Sequence, residues 1–244
     1  DFSQKLASLA DIYVNDAFSV CHRKQTSIIG FPKYLKSYAG RLLEKEVETL
    51  KKIKLKNTLF ILGGGKPEEN LRILNKKNRN VLACGLFDQL YLISQGFDFG
   101  AQNKYLKKEF YLLNKIKGAA KKNKIQTPID YAVNANGKRK ELDLEDFPSK
   151  YRVEDIGEKT MKLYANEIKK AGSIFMKGPV GVYENKKFSK GTNAILKAIA
   201  DSKGFSLIGG GHLNEAIKQS KINPKKFDHV SLSGGALIRY ISGE

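Results

Sequence analysis

TLFILGGGK, residues Thr58–Lys66, is the stretch on which the fold turns. Four consecutive apolar residues, Leu59–Leu62, run into three glycines, and helical periodicity follows from roughly Glu68 to Lys77. A short apolar run without alternation reads as a strand covered on both faces, and a glycine turn leading into a helix reads as a βα unit. The pattern recurs. VLACG (Val81–Gly85) leads into a helix through LFDQLYLIS, and SIFMKGPVGVYE (Ser173–Glu184) precedes a helix from Ser189 to Asp201. FSLIGGGH (Phe205–His212) is followed by a short helix to Gln219, and HVSLSGGALIRYI (His229–Ile241) ends on a last helix. The repetition predicts an α/β fold with a Rossmann-like parallel sheet flanked by helices.

Between these units the reading is less regular. Lys104 to Lys124 has helical spacing, PIDYAV (Pro128–Val133) reads as a strand, and the polar stretch from Asn134 to Lys150 carries an Asn-Gly turn signal that suggests a small hairpin. Helical periodicity returns from Glu158 to Lys170. Near the front, Tyr34 to Lys54 is expected to be one long charged helix, burying a stripe of Leu35, Leu42, Leu43, Val47 and Leu50 and joining two lobes. The chain opens on Asp1, and DFSQKLASLADIYVNDAF reads as a helix entering a strand, so a further segment is expected upstream.

With 244 residues, 41% of them hydrophobic, the chain is long enough to bury a substantial core. The two cysteines, Cys21 and Cys84, are far apart and form no CxxC pair, which gives neither a disulfide framework nor a zinc site any support. A reducing, cytoplasmic setting fits, and no apolar run of about 18 residues marks a membrane span. The net charge of +19 is spread along the chain, and its densest runs, Lys51–Lys56 and Lys104–Lys124, have the spacing of solvated helix faces. No nucleic-acid partner is therefore expected. Titration of a random DNA duplex at moderate salt is expected to show no binding, and binding that weakens steeply with salt would reverse this reading.

Five apolar strands end in glycine turns: Gly63–Gly65, Gly85, Gly178 with Gly181, Gly209–Gly211, and Gly234 with Gly235. In a parallel sheet these turns share one edge, beyond the carboxyl ends of the strands, where open α/β folds bind ligands. Glycine permits close backbone approach, and each following helix offers free amides and the positive end of its dipole. Five such turns together predict a phosphate-binding rim. Neither GxxxxGK[ST] nor a full GxGxxG is present, so this is a different design from the common P-loop and dinucleotide sites.

Particular strings resemble the phosphoglycerate kinase family, its archaeal branch above all. YVNDAFSVCHRKQTSIIG (Tyr13–Gly30) resembles its NDAF…HR…S signature, and FPKYLKSYAGRLLEKEVETL (Phe31–Leu50) its interlobe region. FILGGGK, KGPVGVYE, FSKGT, LIGGGH and HVSLSGGALIRYISGE are similar to its nucleotide-binding turns, in the same order. The resemblance spans essentially the whole chain. It implies one nearly complete lobe of that fold: residues 1–33 ending an amino-terminal substrate lobe, 34–54 an interlobe helix, and 55–244 the nucleotide lobe. The activity implied is phosphoryl transfer between 1,3-bisphosphoglycerate and ADP, giving 3-phosphoglycerate and ATP, with Mg²⁺ bridging nucleotide phosphates, in a cytoplasmic monomer.

Site residues follow by position. The resemblance makes Lys66, Gly210 and Gly211 catalytic, with Lys66 a point cation facing the transferred phosphate. Arg23 becomes the substrate contact, its planar fork suited to a carboxylate or phosphate. The nucleotide contacts become Gly64, Gly65, Lys66, Gly85, Gly178, Pro179, Val182, Glu184 and Gly209–His212, with Glu184 accepting bonds from the ribose hydroxyls. Each has a plainer reading as well: Lys66 a surface lysine, Glu184 a solvated glutamate, Arg23 an ion-paired arginine. His212 stands where many relatives have an aspartate associated with the metal, and Mg²⁺ prefers oxygen, so no protein ligand to the metal is assigned. Lys177, Asn70 and Leu232-Ser233 also depart from the common pattern. They leave a second reading open, a nucleotide-binding module with weakened or lost catalysis.

Overall fold

The computed structural model describes residues 2–53 and 55–244; Asp1 and Lys54, which end two of the ranges above, lie outside it. Helix α1 (Phe2–Ala7) precedes strand β1 (Ile12–Asn15), which pairs in parallel with β2 (Lys36–Ala39). Helix α2 occupies Arg41–Leu50.

The long helix expected over Tyr34–Lys54 is thus shorter. Residues 36–39 are spent on a strand, with Ile12 opposite Lys36. Gly40, extended at φ −78° and ψ 162°, starts the helix, and Asp16 caps it by accepting from the amides of Leu42 at 2.6 Å and Leu43 at 2.9 Å. A side chain at position 40 would collide with Asp16, so the boundary is fixed by a residue far away in the chain.

The main sheet has six parallel strands in the order β11-β10-β9-β3-β4-β5. Strand β3 (Leu59–Leu62) leads into α3 (Pro67–Leu74), and β4 (Asn80–Ala83) into α4 (Gly85–Ser94). Helices α5 (Ala101–Leu106) and α6 (Leu113–Ala120), separated by 3-10 turns over Lys107–Leu112, carry the chain to the edge strand β5 (Lys124–Gln126). The single helix expected from Lys104 to Lys124 is therefore three pieces, and Lys124 itself begins a strand. Asn123 makes the change of direction. Its amide donates to the carbonyls of Leu74 and Ala119, while its oxygen accepts from the Arg79 amide at 2.9 Å.

An antiparallel sheet of three strands follows: β6 (Asp130–Ala135), β7 (Lys138–Asp143) and β8 (Val153–Ile156), with β6 central. Asn136 and Gly137, at φ 52° and 79°, form the hairpin turn that the Asn-Gly pair predicts. After α7 (Glu158–Lys170), the second half of the main sheet is built from β9 (Ser173–Lys177), α8 (Lys190–Ala200), β10 (Phe205–Gly209), α9 (Gly211–Ser220), β11 (His229–Ser231) and α10 (Gly235–Ser242).

The apolar runs bury both faces of this sheet. Phe60, Leu62, Val81, Phe175 and Leu207 pack with Leu50, Leu74, Phe87, Leu90, Ile116 and Leu237 on one side. Ile61, Leu82, Ile174, Met176 and Ile208 pack with Tyr164, Ile168, Leu196 and Leu213 on the other. Each fully buried side chain of this size contributes about 1.5–3 kcal/mol. The antiparallel sheet has its own small core of Phe99, Tyr131, Val133, Leu142 and Val153.

Asp88 of α4 fastens that sheet to the main one by accepting a short hydrogen bond from the Tyr131 hydroxyl. Burial pushes its carboxyl up to about 7, opposed by that bond. The folded chain therefore keeps the proton to higher pH than the unfolded chain does. Stability conferred at this position falls as pH rises from about 4 to 7, by an amount on the order of 4 kcal/mol, and is level above and below that window. Asp88→Asn, which still accepts from Tyr131, is expected to gain stability over the parent through this interval, as read by urea unfolding at each pH; parallel curves would refute the assignment.

Candidate functional site

The two halves of the sheet meet at β3 and β9, from which successive strands are added in opposite directions, and the crevice beyond their carboxyl ends is the site. Its turns touch backbone to backbone. Gly63 donates to the Lys177 carbonyl at 2.8 Å and Gly64 to the Pro179 carbonyl at 2.7 Å. A Cβ at Gly178 would lie 2.6 Å from the Gly63 oxygen, and one at Gly85 2.8 Å from the Gly64 nitrogen. Gly64, Gly85 and Gly178 also hold positive φ. Their glycine identity is set by the protein's own packing.

A second group of glycines faces space. At Gly65, Gly210, Gly211 and Gly234 an added Cβ meets nothing within 4 Å. These four, with Gly64, Gly85, Gly178 and Gly209, line a cavity of about 830 Å³. Pro179, Val182, Glu184, Lys66, His212 and Arg23 line it as well, so every site residue named from the sequence borders one space. That volume is within the range of pockets that take small-molecule ligands.

Helix ends distinguish where an anion can sit. The first amides of α9, from Gly211 and His212, have no acceptor within the helix and lie on the cavity. The start of α8 is already closed: Asp155 accepts from the Gly191 amide at 2.8 Å and from Arg139 at 2.7 Å. Side chains at Gly181 or Gly191 would strike the Asp155 carboxylate. Burial pushes that carboxyl up to about 6, with Arg139 and the Gly191 amide opposing. The first turn of α8 therefore already carries an internal anion on its Gly191 amide, while the first amides of α9 face the cavity.

Lys66, at the N-cap of α3, is exposed, with its ammonium 3.8 Å from Glu69. Lys177, at the end of β9, is buried and contacts the other oxygen of Glu69 at 2.9 Å and the Lys66 carbonyl at 3.2 Å. Burial draws its ammonium below the ordinary lysine range, with Glu69 opposing. Asn70 is fully buried and donates to the Gly63 carbonyl at 3.1 Å, so it braces the turn. Leu232 is 71% exposed on the rim. His212 lies 3.2 Å from the Tyr183 hydroxyl through Nδ1.

Across the cavity stand Arg23 and His22. Burial and then the cations Arg23, Arg239 and Arg72 hold His22 below its ordinary value, and its buried Nδ1 has no partner among the described residues. Glu69, His22 and Tyr183 were not singled out as site residues from the sequence. Glu69 meets Lys66 three residues before it along α3, and the fold adds Lys177 from the end of β9.

Strand order and glycine turns together define a doubly wound α/β protein with a glycine-lined crevice at its topological switch point. The family model for phosphoglycerate kinase matches residues 1–244. The chain is 41% identical to the phosphoglycerate kinase of Methanothermus fervidus and 40% identical to that of Methanococcus maripaludis, in each case over 99% of its own length. It spans about 62% and 61% of those relatives. The crystal structure of phosphoglycerate kinase from Pyrococcus horikoshii OT3 superposes with a TM-score of 0.89 at 33% identity, covering 99% of this chain and 63% of that one. The structure of the Coxiella burnetii phosphoglycerate kinase gives 0.83 at 29%. The chain belongs to the phosphoglycerate kinase family.

The two groups of glycines make a contrast that can be measured. Gly178→Ala is expected to cost more than about 2 kcal/mol, through left-handed backbone and the collision with Gly63, whereas Gly65→Ala is expected to change stability by under about 0.5 kcal/mol. Denaturant midpoints of the two variants decide it; equal losses would contradict the division.

Proposed function

We propose that this chain provides the nucleotide side of a phosphoglycerate kinase. The ADP β-phosphate oxygen would attack the acyl phosphorus of 1,3-bisphosphoglycerate, the bond to the carboxyl oxygen would break, and ATP and 3-phosphoglycerate would result. The supporting observation is the single cavity bordered by Lys66, Lys177 and the free amides of Gly211 and His212. Cations and oriented amides stabilise the charge spread over a transferring phosphoryl group. The apolar rim of Pro179, Val182 and Leu86 suits the adenine, and the exposed Glu184 suits the ribose.

Mg²⁺ would enter with the nucleotide as part of the substrate, held by phosphate oxygens and water. No group of three His, Cys, Asp or Glu among the described residues has the geometry of a metal site. The domain division expected from the sequence fits this reading: residues 55–244 offer the nucleotide turns, and Arg23, from the first 33, faces them. We place the reaction in the cytoplasm as part of the same reading.

Arg23 is the one arginine on the cavity among the described residues, a sparse provision for a substrate carrying an acyl phosphate and a second, ester phosphate. Because both substrates must be held in line and away from water, these 244 residues alone are expected to bind ADP and ATP but to transfer phosphate slowly. Calorimetric titration with each nucleotide and a coupled assay of turnover test this. Heat of binding with turnover far below the usual 1–100 s⁻¹ range of kinases is the expected result, where ~1 s⁻¹ or more, or no nucleotide binding, would contradict it.

A further inference from the structure

Lys177 and Glu69 lie at the floor of the cavity in an arrangement that the family reading does not require. Lys177 has a side chain only 9% exposed, yet it borders the cavity. Among the described residues its ammonium has two acceptors, the Glu69 carboxylate at 2.9 Å and the Lys66 carbonyl at 3.2 Å, which leaves one of three donors unused. Glu69 bridges the two lysines, one to each oxygen, with Lys66 the looser partner at 3.8 Å. A carboxylate placed between two ammonium groups on the edge of the cavity occupies a place that suits an external anion.

We propose that Glu69 is a resident counter-anion, exchanged for a nucleotide phosphate on binding, and that Lys177 is the second phosphate-facing cation of the site. The exchange is local. Glu69 sits in the first turn of α3, 30% exposed, so a change of rotamer swings its carboxylate from the ammonium groups toward water. Lys177 is fixed by the strand, directly before the turn that packs on Gly63. The incoming phosphate thus meets a cation that is positioned in advance and already desolvated, which is where a charge-assisted bond is strongest. Holding the lysines with a carboxylate until then avoids leaving a buried ammonium unpaired. The ligand class selected is a nucleotide bearing phosphates over the bare nucleoside.

The inference rests on the nucleotide reading above, and the test separates the two. ADP and adenosine are titrated calorimetrically into the parent chain, Lys177→Met, Lys177→Arg, Glu69→Gln and the double variant Lys177→Met/Glu69→Gln. The proposal expects Lys177→Met to weaken ADP about tenfold or more while adenosine is unchanged, with Lys177→Arg retaining most of the affinity. Glu69→Gln, which removes the competitor, is expected to bind ADP as tightly as the parent or more tightly. Should Lys177→Met unfold, the double variant carries the test, because it leaves no unpaired carboxylate, and the same selective loss of ADP is expected. ADP and adenosine weakening in equal measure in the Lys177 variants, or Glu69→Gln weakening ADP, would reduce the pair to a structural ion bridge and overturn the proposal. Failure of the parent chain to bind ADP at all would remove both this inference and the nucleotide reading.

Discussion

Two turns without side chains, pressed together where the sheet reverses direction, are the constraint on which the remaining structure depends. The Gly63 and Gly64 amides donate to the carbonyls of Lys177 and Pro179 at 2.8 and 2.7 Å. This contact closes the gap between β3 and β9 at their carboxyl ends and sets how far the following chains splay. Strands β4 and β10, one step out on either side, then deliver Gly85 and Gly209–Gly211 to the same opening. A Cβ at Gly63 or Gly178 would press on the facing backbone and drive the halves apart, so close packing and ligand geometry are the same problem here.

Around that contact the chain allots its charges unevenly. Asp155 and Arg139 satisfy the start of α8 from within, at the cost of burying a carboxylate that must then be fully bonded. The start of α9 has no such partner and opens on the cavity. Glu69 occupies an intermediate position, bonded to Lys177 but still partly in contact with water. With the α8 end closed away from the cavity, an anion entering it would meet one open helix end and one exchangeable ion pair. The overall charge of +19 adds attraction at long range but no such selectivity.

Much of this was legible in the sequence because it rests on local pattern. The apolar runs at Leu59–Leu62, Val81–Ala83 and Ser173–Lys177 are strands buried on both faces, and α7 fills Glu158–Lys170 as its periodicity predicts. What escaped depends on contacts between distant residues. The cap on α2 comes from Asp16, the ending of α6 from Asn123, and β5 is a three-residue edge strand, KIQ, with too little apolar character to announce itself. Glycine identity was legible while its cause was not: Gly178 and Gly65 look alike in sequence, yet one is packed on backbone and the other faces a cavity. Lys177 stood out only as a departure from the pattern, because its carboxylate partner lies more than a hundred residues away.

In the function proposed, nucleotide phosphates meet the open helix end and the cavity-facing glycines, leaving the packed turns as scaffold. Amide chemical shifts of the ¹⁵N-labelled chain, followed through a titration with ADP, address it residue by residue. The largest changes are expected at Gly65, Gly210, Gly211 and His212, with small ones at Gly191, whose amide Asp155 already holds. Changes centred on Gly191, or spread over the lysine-rich helix faces with the GGGH turn silent, would contradict it.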